Sequence, residues 1–544
     1  MKKSLLIIPL FSVLLFSVNI FSQTAKDYFE SGLAKVDSAD YKGAISDMTK
    51  AIALDPKFTK AYTSRGSAYE MISMHDEALA DFTKAIELEP DSAYTYEQRG
   101  VEYVFLLQYD KALADFTKAI SLQPDDAAIY HERAYMYFSL QRYDEALADF
   151  TKAIRLNPDD KDAYVGRAIL YDNLKQYDKV IPDVTKILEL EPDYANAYKM
   201  RGNAYSETEQ YEKAITDFSK AIELKNDYAE AYEKRGNTYF KIEQYEKALS
   251  DLTKAIDLQP DSARAYFSRG GVYNILKQYD KALKDLNRSI DISGGHAEAF
   301  FERGMIYDEM KMLDKAEEDL LTAVSLKPDY SEALYMLGVV QAEDHKYDDA
   351  ITNYTRAIEI NPKFMIAYVD RGEAYRNKKM YSKAISDFSK IVEANPDVSY
   401  GYYLRGCVLS EEGENYLAIE DLNKAVKLQP NDAQAYKVRG VAYRNLKQYD
   451  KALSDLTQAI DITPDYIDAY IERGLLYDDL KKFPESISDF TKVIQLQPDH
   501  SFAYLARGFS EYYAGDKVTA CRDLQKAKEL GETLAQTYID KYCK

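Results

Sequence analysis

Histidines, cysteines and clustered carboxylates are the side chains best equipped for chemistry, and in this chain they are few or scattered. The 544 residues include five histidines, His75, His131, His296, His345 and His500. None stands at a metal-ligand spacing from another. His131-Glu132 opens like the zinc-binding helix of a metalloprotease, but Tyr135 takes the place of the second histidine, so the motif fails. No paired-cysteine zinc pattern, glycine-rich phosphate loop or nucleophile elbow is present. Carboxylates are plentiful but recur on helix faces, where solvation is the ordinary expectation. The chain therefore reads as non-catalytic, with no metal and no cofactor expected.

The elements that would position any site follow one rule. An arginine-glycine pair recurs every 34 residues, as Arg65-Gly66, Arg99-Gly100, Arg201-Gly202, Arg235-Gly236 and onward to Arg507-Gly508. Arg133-Ala134 and Arg167-Ala168 keep the arginine, and Leu337-Gly338 keeps only the glycine. Extended back to Ser31-Gly32, the register holds fifteen units from about Ala25 to Leu534. A fixed period of this length means stacked copies of one supersecondary unit. Such a stack has surface for binding and little enclosed space for chemistry.

Within the unit 59–92, Tyr62, Gly66 and Tyr69 fall on one helical face, and Ala78, Phe82, Ala85 and Ile86 on another. His75-Asp76 lies between them, as Tyr109-Asp110 and Tyr143-Asp144 do elsewhere. The aspartate is expected to cap the second helix, and Pro90 to end it. Gly66 and Ala78 are small enough for two helices to meet, with Tyr62, Tyr69 and Phe82 filling the space around them. Most of the 49 tyrosines fall in such columns and are core. The arginine column is expected to pair with Asp81, Asp115, Asp149 and their successors, in its own or the preceding unit. Where arginine becomes Leu337, that aspartate becomes Asn353.

Tyr96, Gly100, Tyr103, Ala112, Phe116, Ala119 and Pro124 resemble the spaced signature of the tetratricopeptide repeat. Two departures are the absence of tryptophan and arginine in place of the leucine before the glycine. The resemblance implies an all-α, right-handed superhelical solenoid of tandem helix-turn-helix repeats, whose first helices line a concave groove that binds other proteins or peptides.

Residues 1–22 stand outside the period. Lys2 and Lys3 precede an apolar run from Leu5 to Val18, which reads as a bacterial-type signal peptide cut after Ser22. The alternative is an uncleaved anchor, for which the run is short and interrupted by Pro9. No integral span is expected after cleavage. Export to the periplasm or cell envelope is the expectation. Loss of Lys2 and Lys3 takes the formal charge from −21 to −23, unsuited to nucleic acid. The expected organisation is a leader over 1–22, repeats over 23–534 and a terminal capping helix over 535–544. Ser293-Gly294-Gly295-His296 replaces the usual proline-aspartate junction and reads as a hinge or a different tight turn.

Three groups are candidate sites. Phe267, Phe301 and Tyr335 occupy the same first-helix position in consecutive units, with Glu298, Glu302 and Glu332 on the same helices. As a ladder they suit an extended segment with apolar and basic side chains, or else they pack between helices. Lys199, Asn203 and Arg264 resemble part of the carboxylate clamp of some family members, although Lys234 and Ser268 depart from it. Cys521 and Cys543 lie equally far from a turn near Glu532, which places them opposite each other on antiparallel helices. They are a candidate disulfide in an oxidising compartment; the alternative is one buried thiol and one in a loose tail. The function expected is an exported protein-protein interaction scaffold. The alternatives are an envelope receptor for a small ligand or glycan, or the accessory arm of an enzyme complex.

Overall fold

The structure, a computed structural model, describes residues 23–543. The leader over 1–22 lies outside the described residues. Among the described residues there are 31 helices, from Ala25–Asp37 to Ala535–Tyr542, and no strand. They form two compact units, one ending at Asp261 and the other beginning at Ser262. The first holds seven helix pairs, and the second eight pairs followed by the single helix Ala535–Tyr542.

One pair explains the rest. In the first helix, Ala195–Glu207, the buried residues Ala197, Gly202 and Ala204 share a face. In the second, Tyr211–Leu224, the buried set is Ala214, Asp217, Phe218, Ala221 and Ile222. A methyl group on Gly202 would stand 2.8 Å from Phe218 Cε1, so the helices meet too closely for a larger residue unless that ring shifts. Phe218 is wholly buried there, which stabilises the pair by about 2–3 kcal/mol.

The first helix ends with Glu209 in the left-handed region at φ 60°, and Gln210 N–H donates to Tyr205 C=O at 2.8 Å. This is a six-to-one closure of the Schellman type. The same turn recurs with Lys175, Lys277 and Lys447 at positive φ. The second helix starts one residue earlier than its sequence suggests. Tyr109 and Tyr177 are already its first residues, and the caps Gln108 and Gln176 make no side-chain cap bond. Asp110 and Asp178 therefore do not cap; they sit in the first turn, where a carboxylate complements the helix dipole. Side-chain capping falls mainly on first helices, through Ser92, Asp126, Asp160, Ser262 and Asp432. At the irregular junction, Tyr279–Ser293 runs one residue longer and closes through Gly294 and Gly295, both at positive φ. Ser293 Oγ accepts the Gly295 N–H at 3.2 Å, so this is a different tight turn.

Every arginine of the column meets the aspartate of its own pair. Arg235 Nε donates to Asp251 Oδ2 at 2.7 Å and Nη2 to Oδ1 at 2.9 Å. Its Nη1 donates to Ser219 Oγ of the preceding pair at 2.8 Å, so the guanidinium ties successive pairs together. Hydrogen bonding to Asp251 holds the Arg235 pKa above its ordinary value. The Tyr232 ring lies 5.7 Å from the guanidinium carbon. Arg99 likewise lies 5.6 Å from Tyr96 and 5.8 Å from Tyr103. The two departures from the family signature are thus one feature, since a tyrosine column supplies ring faces for an arginine column.

Where the arginine is lost, its neighbours change with it. Asn353 Nδ2 donates to Gln341 Oε1 at 2.8 Å, and Gln341 Nε2 to Glu317 Oε1 at 2.8 Å. Neutral amides replace the ion pair, and no carboxylate is stranded there. In the first pair, Ser31 and Lys35 take over, at 2.7 and 2.6 Å from Asp47 Oδ2, and hold the Asp47 carboxyl down to about 2.

Candidate binding surface of the first helices

The fifth residue of a first helix stands three before the glycine position, and the Tyr335 ring lies 5.8 Å from Tyr354, the ring seated on Gly338. In five repeats it meets the residue 29 positions later, which closes the same repeat. His131 Nδ1 lies 3.3 Å from Asp160 Oδ2. The Lys199 ammonium lies 5.9 Å from the Tyr228 ring. Phe267 meets the His296 ring edge-on at 5.3 Å, Phe301 the Tyr330 ring at 5.1 Å, and Tyr335 the Phe364 ring at 4.9 Å. All three of these rings are half-buried. Tyr335 also donates its phenol proton to Asp370 Oδ2 at 2.7 Å, and burial raises its pKa. Phe301 and Tyr335 pack against the core around Leu334 and Leu337. The expected ladder is thus a series of braced rings, each leaning on the junction that follows it and showing part of its face to solvent.

The carboxylates beside them differ in state. Glu298 pairs with Lys327 at 3.3 Å and is held below its ordinary pKa by its own backbone amide and by that lysine. Burial pushes Glu302 up. Glu332 is exposed and accepts from Ser331 Oγ at 2.9 Å. In the first unit, burial with Asp126 and Glu132 nearby pushes the half-buried Glu97 up to about 7. Glu102 is wholly buried and 2.9 Å from His75 Nδ1. Solvation, expected of carboxylates repeating on helix faces, therefore fails at Glu302, Glu97 and Glu102. Glu102 meets the start of the preceding pair's second helix through His75, a contact that the sequence alone does not mark.

Lys199 and Asn203 line a cleft of about 350 Å³ with Asp172, Glu230 and Lys234. Lys199 Nζ is 3.1 Å from Glu230 Oε2. Burial raises the Asp172 pKa, against the pull of Lys234 and Lys199. Two carboxylates thus share the cleft with two ammonium groups, so it is not the purely cationic clamp of the sequence resemblance. Arg264, exposed on Ala263–Ile275, belongs to the second compact unit.

Cys521 and Cys543 form a disulfide with Cα atoms 5.6 Å apart. It joins Lys517–Glu529 to Ala535–Tyr542. Cys407 is a buried free thiol whose pKa burial raises to about 11, which leaves it protonated at neutral pH.

The sequence reading missed a recess of about 650 Å³ near this disulfide, lined by Phe502, Leu505, Phe509 and Tyr513 among others. A signal was available. At the same four first-helix positions the unit beginning at Ala195 carries Asn196, Lys199, Asn203 and Glu207. The change from four polar residues to Phe502, Leu505, Phe509 and Tyr513 marks an apolar surface on this last first helix.

Among the described residues, no group of three or more histidine, cysteine, aspartate or glutamate side chains is placed to hold a metal ion. No helix among them is long and apolar enough to cross a membrane.

Comparison with known proteins adds the family. One tetratricopeptide repeat model matches 59–92, 127–160, 331–364 and 433–466. A second matches 93–126, 263–296, 297–330, 366–398, 400–432 and 467–500. Two more match 150–181 and 184–216, and 202–243 and 236–274. Among solved structures, YrrB, described as a TPR protein with an unusual peptide-binding site, is 29% identical. The match covers 34% of this chain and 95% of YrrB, with a TM-score of 0.32. A tetratricopeptide repeat protein from Parabacteroides merdae is 21% identical over 46% of this chain and 99% of its own, with a TM-score of 0.40. The APC/C assembly Cut9-Hcn1 gives 14% identity over 92% of this chain and 98% of that one, with a TM-score of 0.37. Comparison with curated proteins gave no match. With repeat models matched almost continuously from 59 to 500 onto the helix pairs described above, the chain belongs to the tetratricopeptide repeat family.

Proposed function

We propose that this protein is an exported, non-catalytic scaffold whose first helices bind extended segments of partner proteins. The observation that carries this is a division of labour within each first helix. One face, with Gly202, Arg201 and Tyr198 as the example, is spent on its own repeat and, through Arg201, on Thr185 of the preceding one. The fifth position is partly solvent-facing in most repeats, although Glu233, Val369 and Leu505 are buried, and its identity changes from His131 to Lys199 to Phe267. A constant frame with a variable face suits recognition of a specific partner. The half-buried rings of Phe267, Phe301 and Tyr335, beside Glu302 and Glu332, favour a segment carrying apolar and basic side chains. Export is supported by the Lys2-Lys3 leader and fits the disulfide, which persists in oxidising compartments.

The test is capture from the cell-envelope fraction by the wild-type chain and by the triple variant Phe267→Ala, Phe301→Ala, Tyr335→Ala. A co-purifying chain should be lost at least tenfold in the variant, while its thermal melt shifts by only a few degrees. Identical capture by both proteins would refute this placement of the site.

A further inference from the structure

Three segments of the second unit converge on the 650 Å³ recess. Leu475 and Phe483 come from one helix pair, Phe502, Leu505 and Phe509 from the next first helix, and Leu534 and Tyr538 from the final segment. That final segment is fixed. The Cys521–Cys543 disulfide ties its helix back, and the Tyr538 ring meets Phe509 edge-on at 4.3 Å. The recess is therefore preorganised, and its volume is that of an ordinary small-molecule site.

Its serine and aspartate are spent on neighbouring side chains. Ser510 Oγ lies 2.8 Å from Asp478 Oδ1 and 2.9 Å from Ser486 Oγ. A peptide placed here would leave its buried amides without partners, at a cost of about 1–3 kcal/mol for each. A hydrocarbon carries no such cost and gains about 25 cal/mol for each Å² it buries. Lys481 lines the recess, is exposed, and makes no ion pair among the described residues. Its charge is complementary to an anionic group at the end of that hydrocarbon.

We propose that this recess binds a single-chain anionic amphiphile, an aliphatic carboxylate of the fatty-acid type, with its chain against Leu475, Phe502 and Phe509 and its carboxylate on Lys481. The site is separate from the first-helix surface around Phe301, and its test does not depend on the partner-binding proposal.

The chain has no tryptophan. Leu534, 53% exposed at the recess, can therefore be changed to Trp as the sole indole reporter. The full chain carrying Leu534→Trp is titrated with dodecanoate and with dodecyltrimethylammonium, both below micelle-forming concentrations. Dodecanoate should give a saturable, one-site emission change, and the cationic amphiphile should bind at least fivefold more weakly. Lys481→Glu, at an exposed turn, should erase that preference with an unchanged far-ultraviolet circular dichroism spectrum. Leu475→Glu should weaken dodecanoate at least tenfold. No saturable change, equal binding of the two head groups, or dodecanoate binding indifferent to both variants would overturn the proposal. So would an emission shift that follows protein concentration without amphiphile, which would assign the recess to a second copy of the chain.

Discussion

Arg235→Ala tests the feature that distinguishes this repeat. The substitution removes two charge-assisted hydrogen bonds to Asp251, at 2.7 and 2.9 Å, and one to Ser219 at 2.8 Å. It also leaves Asp251, only 6% exposed, without its cation. Breaking a fully buried pair from one side costs about 3–5 kcal/mol. The Arg235 side chain is 19% exposed, so water reaches the vacated space, and the expected loss is about 3 kcal/mol. Ser219→Ala removes the bond that its neutral hydroxyl accepts from Arg235 and the one that it donates to Ile215 C=O at 2.6 Å, with no charge left unpaired, and should cost about 1 kcal/mol. The repeat around Leu337 supplies the control, because there leucine, Gln341 and Asn353 replace arginine, tyrosine and aspartate together. Arg235→Leu with Tyr239→Gln and Asp251→Asn should therefore recover most of the loss, since no charge is then stranded. The assay is urea unfolding followed by circular dichroism, with hydrogen exchange to locate the weakened helices. Exchange matters because repeat arrays need not unfold in one step. Faster exchange should centre on Ala229–Lys241 and Tyr245–Leu258. An unchanged urea midpoint for Arg235→Ala, or a triple variant no more stable than the single one, would refute the reasoning.

Two further outcomes are expected. Gly202→Ala would place a methyl 2.8 Å from Phe218 Cε1 and should lower stability by about 1–2 kcal/mol, whereas Gly271→Ala meets nothing within 4 Å and should raise it by about 0.5–1 kcal/mol through helix propensity; urea midpoints moving in the same direction would contradict this. Burial first, with Asp523 nearby, pushes the Glu511 carboxyl up to about 7 against an ordinary 4.5, and its Oε2 has no hydrogen-bond partner. A raised acid favours the folded state while protonated, so stability should decline as pH rises from about 4.5 through about 7. Glu511→Gln should flatten that decline and gain about 1–2 kcal/mol at pH 8; parallel pH–stability curves for variant and wild type would exclude Glu511 as the cause.

The sequence alone determined whatever repeats. The 34-residue period, the helix pair, the small residue at the contact and the pairing of arginine with aspartate 16 residues later are all contacts of fixed, short separation, so each is written into the chain again and again. Even the exception was legible, since Leu337 and Asn353 change together; its repair through Gln341 was not, because that needs a hydrogen bond seen in place. A one-residue shift in the start of the second helix moved Asp110 from cap to first turn, a distinction that backbone geometry makes and composition does not. Tertiary structure alone decided what happens at positions that do not repeat. Phe267, Phe301 and Tyr335 share a column, yet whether each ring is free or braced depends on His296, Tyr330 and Phe364 at the junctions. Glu97 and Glu102 look like surface carboxylates in sequence, yet burial raises the pKa of both. The recess needs Leu475, Phe509 and Tyr538 to converge from three segments, the last held by a disulfide. Burial and cavity shape are sums over neighbours distant in the chain, and a periodic sequence specifies only the neighbours that its period brings together.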